Sequence, residues 1–386
     1  MLCRFEDRVS GQSLELLDYS HRISARSPEE LSGAFERIDA AQKQGYWVAL
    51  LLDYELGEWL EPTVVKHGVP LGHTEPQSPV SNNPARLTAL VYRRAVHKPI
   101  HDTLSAIHPI TLRAEPLIAK NSYQRKVQEI RACIGRGELY QTNFTFPIKI
   151  ETSTPLADLY LSIATRHPTA HAAYIEDGTR SILSFSPELF FARKGSTVTV
   201  RPMKGTAPRH TDPTLDRQYG QELLHSEKNR AENLMIVDLL RNDLGRLATP
   251  GSVHVQALFS LERYPSVWTL TSTVTAQLPG RTLEELLRAL FPCGSITGAP
   301  KIAAMKKIRE LEKAPRGIYC GSVGWLAPNG DCSLNVAIRT LVMQPDGSGI
   351  FGVGGGIVYD SDPELEWQEC LWKARILSSA LTTATA

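Results

Sequence analysis

Four short segments that alternate apolar and polar residues follow one another between residues 172 and 200. They cover residues 172–176, 181–186, 189–194 and 197–200, with only a few residues between one segment and the next. Alternation of this kind predicts β-strands, and the short spacing is that of an antiparallel meander. Further strand patterns occur later in the chain, mixed with helical patterns that do not alternate with them. The sequence therefore predicts an α+β fold rather than a doubly wound parallel sheet.

The size and charge of the chain narrow the classes of protein that it can belong to. Its 386 residues are enough to bury a large core, in one large domain or two moderate ones. The 42 Lys and Arg residues nearly cancel the 41 Asp and Glu residues. A near-neutral surface gives no electrostatic reason to expect a nucleic acid or a membrane as partner. Residues 66–86 lack periodicity and are rich in Pro, Gly, His, Ser and Asn, which predicts an exposed loop.

Cysteine usage and the N-terminal sequence both predict a cytoplasmic protein. The six cysteines follow neither metal-ligand spacing nor a disulfide framework, so we expect buried thiols in a reducing compartment. The first eight residues, MLCRFEDR, alternate apolar and charged side chains and contain no apolar core of a signal peptide. The longest apolar runs, such as VALLL at 48–52, are far too short to span a bilayer.

A lysine is held at a fixed point of the backbone by the segment RPMKGTAPR at residues 201–209. Pro202 is expected to end the preceding strand, and Gly205 to let the backbone turn and approach a ligand closely. Lys204 then lies at a strand end. Two interpretations remain open from these residues: a solvated lysine in a turn, or an amine nucleophile whose pKa is lowered by a partly apolar site.

Two predicted helices carry carboxylates that are candidates for a metal site. Glu232 lies on a helix with Lys228 one turn earlier, and the final helix places Glu366, Glu369 and Lys373 on one face. A surface Lys228–Glu232 pair and a solvated acidic face are the plain alternatives. If the helices converge, three carboxylates form a hard oxygen site suited to Mg²⁺, which keeps several waters and uses few protein ligands.

Two further segments have backbone N–H groups suited to anions. GVGGGI at residues 352–357 is expected at a strand start, and GSITGAPK at 294–301 leads into a helix N-terminus. Arg339 is expected on a late strand covering 332–343. A lysine, a possible Mg²⁺ site, an arginine and two anion-binding segments together fit a small dianionic substrate. Neither a phosphate-binding P-loop nor a Gly-x-Ser-x-Gly or Gly-x-Cys-x-Gly nucleophile elbow is present.

In colinear order, four motifs resemble the chorismate-utilising enzymes. They are RPMKGT at 201–206, KNRAENLMIVD at 228–238, GSITGAPK at 294–301 and GGG at 354–356. The resemblance covers about residues 121–377 and implies a single α+β unit, with two large antiparallel β-sheets packed as a sandwich and helices outside. It divides the chain into an N-terminal segment, 1–115, that contributes strands and a helix, and a chorismate-binding catalytic region, 116–386. The two are expected to form one intertwined unit.

The resemblance also implies roles for individual residues. Lys204 matches a lysine that attacks the substrate ring, and Glu188 matches the general acid/base. The Mg²⁺ carboxylates would be Glu232 and Glu369, with Glu366 as a third or water-mediated ligand. The expected substrate contacts are Thr297, Tyr319, Arg339, Lys373 and the N–H groups of Gly354 and Gly356.

Three positions bear on which branch of the family the chain resembles most. Anthranilate synthases have a small residue where Lys204 stands, so a lysine there implies the branch that makes 4-amino-4-deoxychorismate from chorismate and ammonia. Gln141 stands where isochorismate and salicylate synthases have a water-activating lysine, which argues against water as the nucleophile. Thr269 stands where many members of the family have a histidine, and no role is carried over to it.

The same resemblance implies partners for the chain. Because no glutaminase nucleophile elbow is present, we expect a separate glutamine amidotransferase to supply ammonia and a separate lyase to complete the route to p-aminobenzoate and folate. Two alternatives stay open. One is anthranilate synthase component I, and the other is a catalytically silent paralogue that binds chorismate and regulates a partner.

Overall fold

All strand pairings are antiparallel in the part of the chain that the structure describes. This computed structural model describes residues 1–65, 84–100, 110–264 and 267–378. Residues 66–83 of the predicted loop lie outside the described residues. Within these ranges the structure has 18 strands: β1 (Cys3–Asp7), β2 (Gln12–Ala25), β3 (Trp47–Leu52), β4 (Leu87–Pro99), β5 (Arg113–Pro116), β6 (Gln141–Glu151), β7 (His171–Glu176), β8 (Ser181–Ser186), β9 (Leu189–Lys194), β10 (Thr197–Arg201), β11 (Met203–Pro208), β12 (His254–Arg263), β13 (Val267–Gln277), β14 (Gly298–Ala299), β15 (Ser322–Leu326), β16 (Cys332–Val336), β17 (Thr340–Met343) and β18 (Ser348–Ile357).

The helices lie between these strands without regular alternation, as the sequence predicts. They are α1 (Leu31–Lys43), α2 (Leu56–Leu60), α3 (Lys120–Gly135), α4 (Leu156–Arg166), α5 (Pro213–His225), α6 (Glu227–Gly245), α7 (Leu283–Leu290), α8 (Lys301–Leu311) and α9 (Pro363–Ser378). Ser226 separates α5 from α6 and caps α6, because its hydroxyl accepts a hydrogen bond from the Asn229 N–H. A helix start at this point brings the KNRAENLMIVD motif onto one continuous helix.

The strands form two layers that pack face to face. In the first layer the hydrogen-bonded order is β6, β18, β17, β8, β7 and β1. In the second it is β2, β4, β3, β15, β16, β9, β10 and β13, and both β11 and β12 pair with β13. Leu51 and Tyr92 of the second layer pack against Ile175 and Ile182 of the first. The predicted sandwich is confirmed, with the addition that the β1–β2 pairing joins the two layers into one hydrogen-bonded network.

Helices cover the outer faces of both layers, and this explains the continuous apolar run in β3. Leu50 and Leu52 face the core under α1, α6 and α7, whereas Ala49 and Leu51 face the core between the layers. Because successive strand residues point to opposite faces, a strand buried on both faces has no polar positions. On the other side of the molecule α3, α4 and α9 cover the first layer.

The N-terminal strands complete layers that later strands build. β1 pairs with β7, and β3 pairs with β15. Each layer is thus made from both parts of the chain, and on this ground we propose that residues 1–115 and 116–386 fold as one intertwined unit. In the same region β4 extends to Pro99, and a short strand, β5, forms at Arg113–Pro116.

Two expectations about the whole chain can be compared with the structure. All six cysteines are buried free thiols, as expected. Among the described residues, no helix is long and apolar enough to cross a membrane.

A buried ion pair links the N-terminal part to the later strands. The Arg316 guanidinium donates two hydrogen bonds to Glu312, at 2.8 and 2.7 Å, and others to the carbonyl oxygens of Ile296 and Asn143. The backbone N–H of Arg316 donates to Glu55, in the segment after β3, at 2.6 Å. The side chains of Arg316 and Glu312 are only 3% and 8% exposed. Removing one partner would therefore leave an uncompensated buried charge.

We expect Arg316→Met to lower the free energy of unfolding by about 3–5 kcal/mol, because Glu312 would stay buried without its partner. The matched control is Arg241→Met, since Arg241 pairs with Asp238 at 3.1 Å on the surface of α6. An exposed pair of this kind contributes about 1 kcal/mol or less. Urea unfolding of both variants measures the difference, and equal losses would contradict a structural role for the buried pair.

Candidate functional site

A pocket of about 310 Å³ opens between β11, α6, β18 and α9. Among the residues that line it are ten of the eleven site residues predicted from the sequence: Glu188, Lys204, Glu232, Tyr319, Arg339, Gly354, Gly356, Glu366, Glu369 and Lys373. These residues come from parts of the chain that are far apart in sequence. The fold therefore gathers the predicted residues at one place.

The lysine lies in a β-bulge rather than at a strand end. After Pro202 the chain continues as β11, and the Pro202 carbonyl accepts a hydrogen bond from the Ser272 N–H at 3.1 Å. The pairing of β11 with β13 then slips between Met203 and Thr206, and Gly205 has a φ of +83°. The predicted end of the preceding strand at Pro202 is confirmed, since β10 ends at Arg201. Lys204 does not lie at that end, because a new strand, β11, begins at Met203 and proline removes only its own ladder hydrogen bond.

The bulge directs the Lys204 amine into the pocket. A Cβ built on Gly356 would lie 3.0 Å from Lys204 Nζ, so the amine reaches the wall that β18 forms. Burial lowers the pKa of Lys204 more than the carboxylate of Glu232 raises it, and the charge of Lys373 lowers it further. This environment disfavours the interpretation of Lys204 as a solvated turn lysine.

Glu188 lies opposite this amine, in the connection between β8 and β9. It is 3% exposed, and in the described part of the chain its Oε1 has no hydrogen-bond partner. Burial raises the pKa of Glu188 to about 7, although the Ser295 hydroxyl, the Lys204 charge and the Met203 N–H act against this. A carboxyl with this pKa can both accept and donate a proton near neutral pH.

In the GSITGAPK segment, the hydroxyl residue that lines the pocket is Ser295 and not the predicted Thr297. The Thr297 hydroxyl is fully buried and donates to the carbonyl oxygens of Cys293, at 3.1 Å, and Gly294, at 3.3 Å. Thr297 is not among the residues that line the pocket, and a substrate contact from it stays a prediction. The sequence contained Ser295 in the same motif but gave no signal for which hydroxyl faces inward.

The three predicted metal carboxylates enter the pocket from two helices. Glu232 comes from α6, and Glu366 and Glu369 come from α9. Glu369 forms a 2.8 Å ion pair with Lys373, which lowers the pKa of Glu369. Burial raises the pKa of Glu366, whose Oε1 accepts a hydrogen bond from Ser361 at 2.7 Å. Within the described ranges, no three metal-ligating side chains form a compact cluster.

The donor set nonetheless suits Mg²⁺. Carboxylate oxygens are the ligands that this ion prefers, and it binds through one or two of them while retaining waters. The two α9 carboxylates and Glu232 offer that chemistry without forming a closed cage. The alternative of a surface Lys228–Glu232 pair does not fit, because both residues line the pocket and no ion pair joins them among the described residues. Glu369 remains partly solvated, since its side chain is 47% exposed.

Arg339 and Tyr319 enter from irregular backbone. Arg339 has a φ of +50° and lies in the break between β16 and β17, so the prediction that it lies on a continuous strand was wrong. A left-handed backbone is unfavourable for a residue with a side chain, and such strain is concentrated at functional sites. The Tyr319 ring packs on Gly352, where a Cβ would come within 2.2 Å of the ring.

The glycine run lies inside β18 instead of at its start. Gly354 and Gly356 pair with Thr145 and Asn143 of β6. A Cβ on Gly356 would lie 2.4 Å from Nε2 of Gln141, a residue that is fully buried and whose amide nitrogen and oxygen have no hydrogen-bond partner in the described part of the chain. The glycines are therefore needed for close approach of side chains, and Gln141 is a polar group beside the lysine amine.

Comparison with known proteins identifies the family. Residues 6–379 match the family described as chorismate binding enzyme. The chain belongs to this family. Aminodeoxychorismate synthase component 1 of Salmonella typhimurium is 46% identical over 66% of the chain, and that of Escherichia coli is 44% identical over 67%. Anthranilate synthase component 1 of Streptomyces coelicolor is 38% identical over 70% of the chain.

The chain spans only a little over half the length of these chorismate-binding relatives, 56% of the Salmonella protein and 58% of the Escherichia coli protein. Solved structures of other proteins share the fold across nearly the whole chain. Anthranilate synthase component I of Streptococcus pneumoniae superposes with a TM-score of 0.79 at 24% identity, covering 95% of this chain and 92% of that one. An isochorismate synthase structure from Bacillus anthracis gives 0.78 at 20% identity, covering 98% and 95%.

The raised pKa of Glu188 predicts a pH dependence of stability. Because the folded-state pKa, about 7, lies above the ordinary value of 4.5, the folded protein holds a proton that the unfolded chain releases between these values. Glu188 therefore contributes stability that is fully present below pH 4.5 and is lost as the pH rises to about 7.

We expect Glu188→Gln to be increasingly stabilised relative to the parent as the pH rises through this window, and the difference to level off above it. Urea unfolding at a series of pH values measures that difference. Asp53 and Glu55 also have raised pKa values, so the test depends on the difference between the two proteins and not on the slope of either. A difference that does not change with pH would contradict the burial of an ionisable Glu188.

Proposed function

We propose that this protein converts chorismate and ammonia to 4-amino-4-deoxychorismate, as the first component of an aminodeoxychorismate synthase. The observation that carries the proposal is the Lys204 amine, buried in the family's pocket beside a carboxyl with a pKa near 7. The identities to synthases of this name support it. The product would be a precursor of p-aminobenzoate and folate.

The pocket has the charges that a dianionic ring substrate requires. Arg339 and Lys373 are cationic, and the phenol of Tyr319 lines the same wall. The Lys373 amine already donates to the Gly354 carbonyl at 2.8 Å, which holds it over β18. We propose that these side chains, with N–H groups of Gly354 and Gly356, bind the two carboxylates of chorismate. Such contacts position the ring against Lys204.

Glu232, Glu369 and Glu366 are the residues that would hold Mg²⁺. The bound ion would neutralise the ring carboxylate and stabilise negative charge on the departing C4 oxygen. Lys373 forms an ion pair with Glu369 in the described structure, so it would compete with the metal ion for the oxygen atoms of Glu369. Its second hydrogen bond, to Gly354, gives it a place to remain when Glu369 binds another cation.

Lys204 and Glu188 would perform the substitution at C4. Glu188 first accepts the proton of the Lys204 ammonium, leaving a neutral amine. The amine nitrogen bonds to C2 of the ring, both conjugated ring double bonds shift toward C4, and the C4–O bond breaks as Glu188 returns the proton to the oxygen, so that water leaves. Ammonia then bonds to C4, both double bonds shift back, the C2–N bond breaks to release Lys204, and a proton passes from the new C4 ammonium to the lysine amine. Proton transfer by one positioned group fits a pKa near the working pH.

Ammonia is proposed to come from a separate glutamine amidotransferase, and a separate lyase would act on the product. The component 1 names of the relatives support a partner component. Gln141 supports ammonia over water as the nucleophile, because a neutral carboxamide cannot act as a general base at neutral pH. The alternatives are an anthranilate synthase component I and a silent chorismate-binding paralogue.

A product assay distinguishes these possibilities. The purified chain is incubated with chorismate, Mg²⁺ and ammonium at high pH, with and without EDTA, and products are separated by chromatography. We expect 4-amino-4-deoxychorismate, and much less of it with EDTA. Anthranilate released together with pyruvate would overturn the proposal in favour of the first alternative. Binding of chorismate without any turnover would favour the second.

The covalent step predicts an adduct on Lys204. With chorismate and Mg²⁺ but no ammonia, the second half of the reaction cannot occur, so the ring should stay bonded to the lysine. We expect intact-mass and peptide mass spectrometry to find the adduct on Lys204, Lys204→Ala to lose it, and Lys43→Ala, a change on the surface of α1, to keep it. If Lys204→Ala keeps normal turnover with ammonia and no adduct forms, direct attack of ammonia on the ring is the better mechanism.

A further inference from the structure

The bulge that carries Lys204 is held by a residue outside the pocket. Thr269 lies on β13, is fully buried, and its hydroxyl donates a 3.0 Å hydrogen bond to the Gly205 carbonyl. Thr269 is also the register partner of Thr206, the residue at which regular pairing resumes. The hydroxyl therefore reaches the backbone carbonyl immediately after the lysine.

This hydrogen bond takes the place of a backbone hydrogen bond between β11 and β13 that the bulge interrupts. Met203 pairs with Thr271 and Thr206 pairs with Thr269, whereas Lys204 and Gly205 have no register partner. A bulge leaves its extra residues unpaired, and buried carbonyl groups need a donor. Thr269 supplies that donor from its side chain, so the orientation of the peptide group after Lys204 depends on it.

A contact from α6 restrains the other side of the bulge. The side chain of Asn229 packs on Gly205, where a Cβ would lie 3.0 Å from Asn229 Oδ1. Asn229 is itself fixed, because its Nδ2 donates to Ser226 Oγ at 2.9 Å. Gly205 is thus confined between a helix side chain and a strand hydroxyl, which leaves the bulge little freedom to move.

We propose that Thr269 is a positioning residue, whose hydrogen bond to the Gly205 carbonyl fixes the bulge and so directs the Lys204 amine toward the pocket. The expected effect of Thr269 on turnover rests on the proposed function. The expected effect of Thr269 on the position of the Lys204 amine does not. Sequence comparison assigned no role to this position, because threonine departs there from the histidine of many family members. The structure gives the threonine a hydrogen bond to the backbone of Gly205, and Thr269 itself is not among the residues that line the pocket.

Three variants separate this role from simple loss of stability. Thr269→Val removes the hydroxyl and nearly keeps the shape, whereas Thr269→Ser keeps a hydroxyl at the same place. Thr271→Val is the matched control, since Thr271 is 3% exposed on the same strand and donates to the Ser260 carbonyl, at 3.4 Å, on the strand away from the lysine. Thermal unfolding should show similar small losses for both valine variants.

The direct measurement is the pH dependence of Lys204 acylation. The protein is labelled with trace acetic anhydride over a pH series, and peptide mass spectrometry gives the fraction acetylated at Lys204. In the parent, burial lowers the pKa of this amine. We expect Thr269→Val to shift the labelling midpoint upward, toward that of an ordinary lysine, because a loosened bulge lets the amine reach water. Thr269→Ser and Thr271→Val should label as the parent does.

Turnover with ammonia gives a second measurement. Displacement of a reacting group by about 1 Å can reduce the rate about 100-fold, so we expect Thr269→Val to lower kcat by about 10- to 100-fold with little change in KM for chorismate. Thr269→Ser should restore most of the rate. Unchanged Lys204 labelling in Thr269→Val would overturn the inference whatever the turnover. A parent protein that makes no 4-amino-4-deoxychorismate would instead overturn the proposed function, while the labelling result would still decide the role of Thr269.

Discussion

Compensation of buried charge is the constraint on which the site depends. The pocket lining contains four cationic side chains and four carboxylates: Lys204, Lys228, Arg339, Lys373, Glu188, Glu232, Glu366 and Glu369. Lys228 and Glu369 are exposed enough to be solvated. An isolated charge in the more buried part of the cavity is costly, so it must be near an opposite charge or move toward its neutral form. Both responses occur here, since Glu369 pairs with Lys373 while burial shifts the pKa values of Glu188 and Lys204 toward neutrality.

This balance is suited to a substrate that carries charge into the pocket. In the proposed reaction, a dianion bound to Arg339 and Lys373 would compete with Glu369 for Lys373, and would leave that carboxylate available to a metal ion. The same dianion would stabilise positive charge on Lys204, which opposes the neutral form required for attack. The nearby Glu188, with its raised pKa, is the group able to take up that proton.

The walls of the pocket must be rigid for these charges to stay in place. Arg316 holds the carbonyl oxygens of Asn143 and Ile296, both in the pocket wall, and Glu55 holds the backbone of Arg316. On the lysine side, Thr269 and Asn229 hold the bulge at Gly205. These groups do not meet the substrate in the proposed reaction. Their role is to keep the groups that do within the small displacements that catalysis tolerates.

The sequence by itself determined the strands of the meander, because alternation of apolar and polar residues is a local property. Its motifs, through their resemblance to the chorismate-utilising enzymes, also indicated ten of the residues that line the pocket. Only the tertiary structure decided the bulge at Gly205, the left-handed backbone of Arg339 and the choice of Ser295 over Thr297 for the pocket wall. Each of these depends on contacts between residues far apart in the chain. The bulge forms where the pairing of β11 with β13 slips, and the pairing of β6 with β18 places Gln141 beside Gly356, close to the lysine amine. Such pairings follow from packing two layers and nine helices together in the described part of the chain, and no local pattern of residues encodes them.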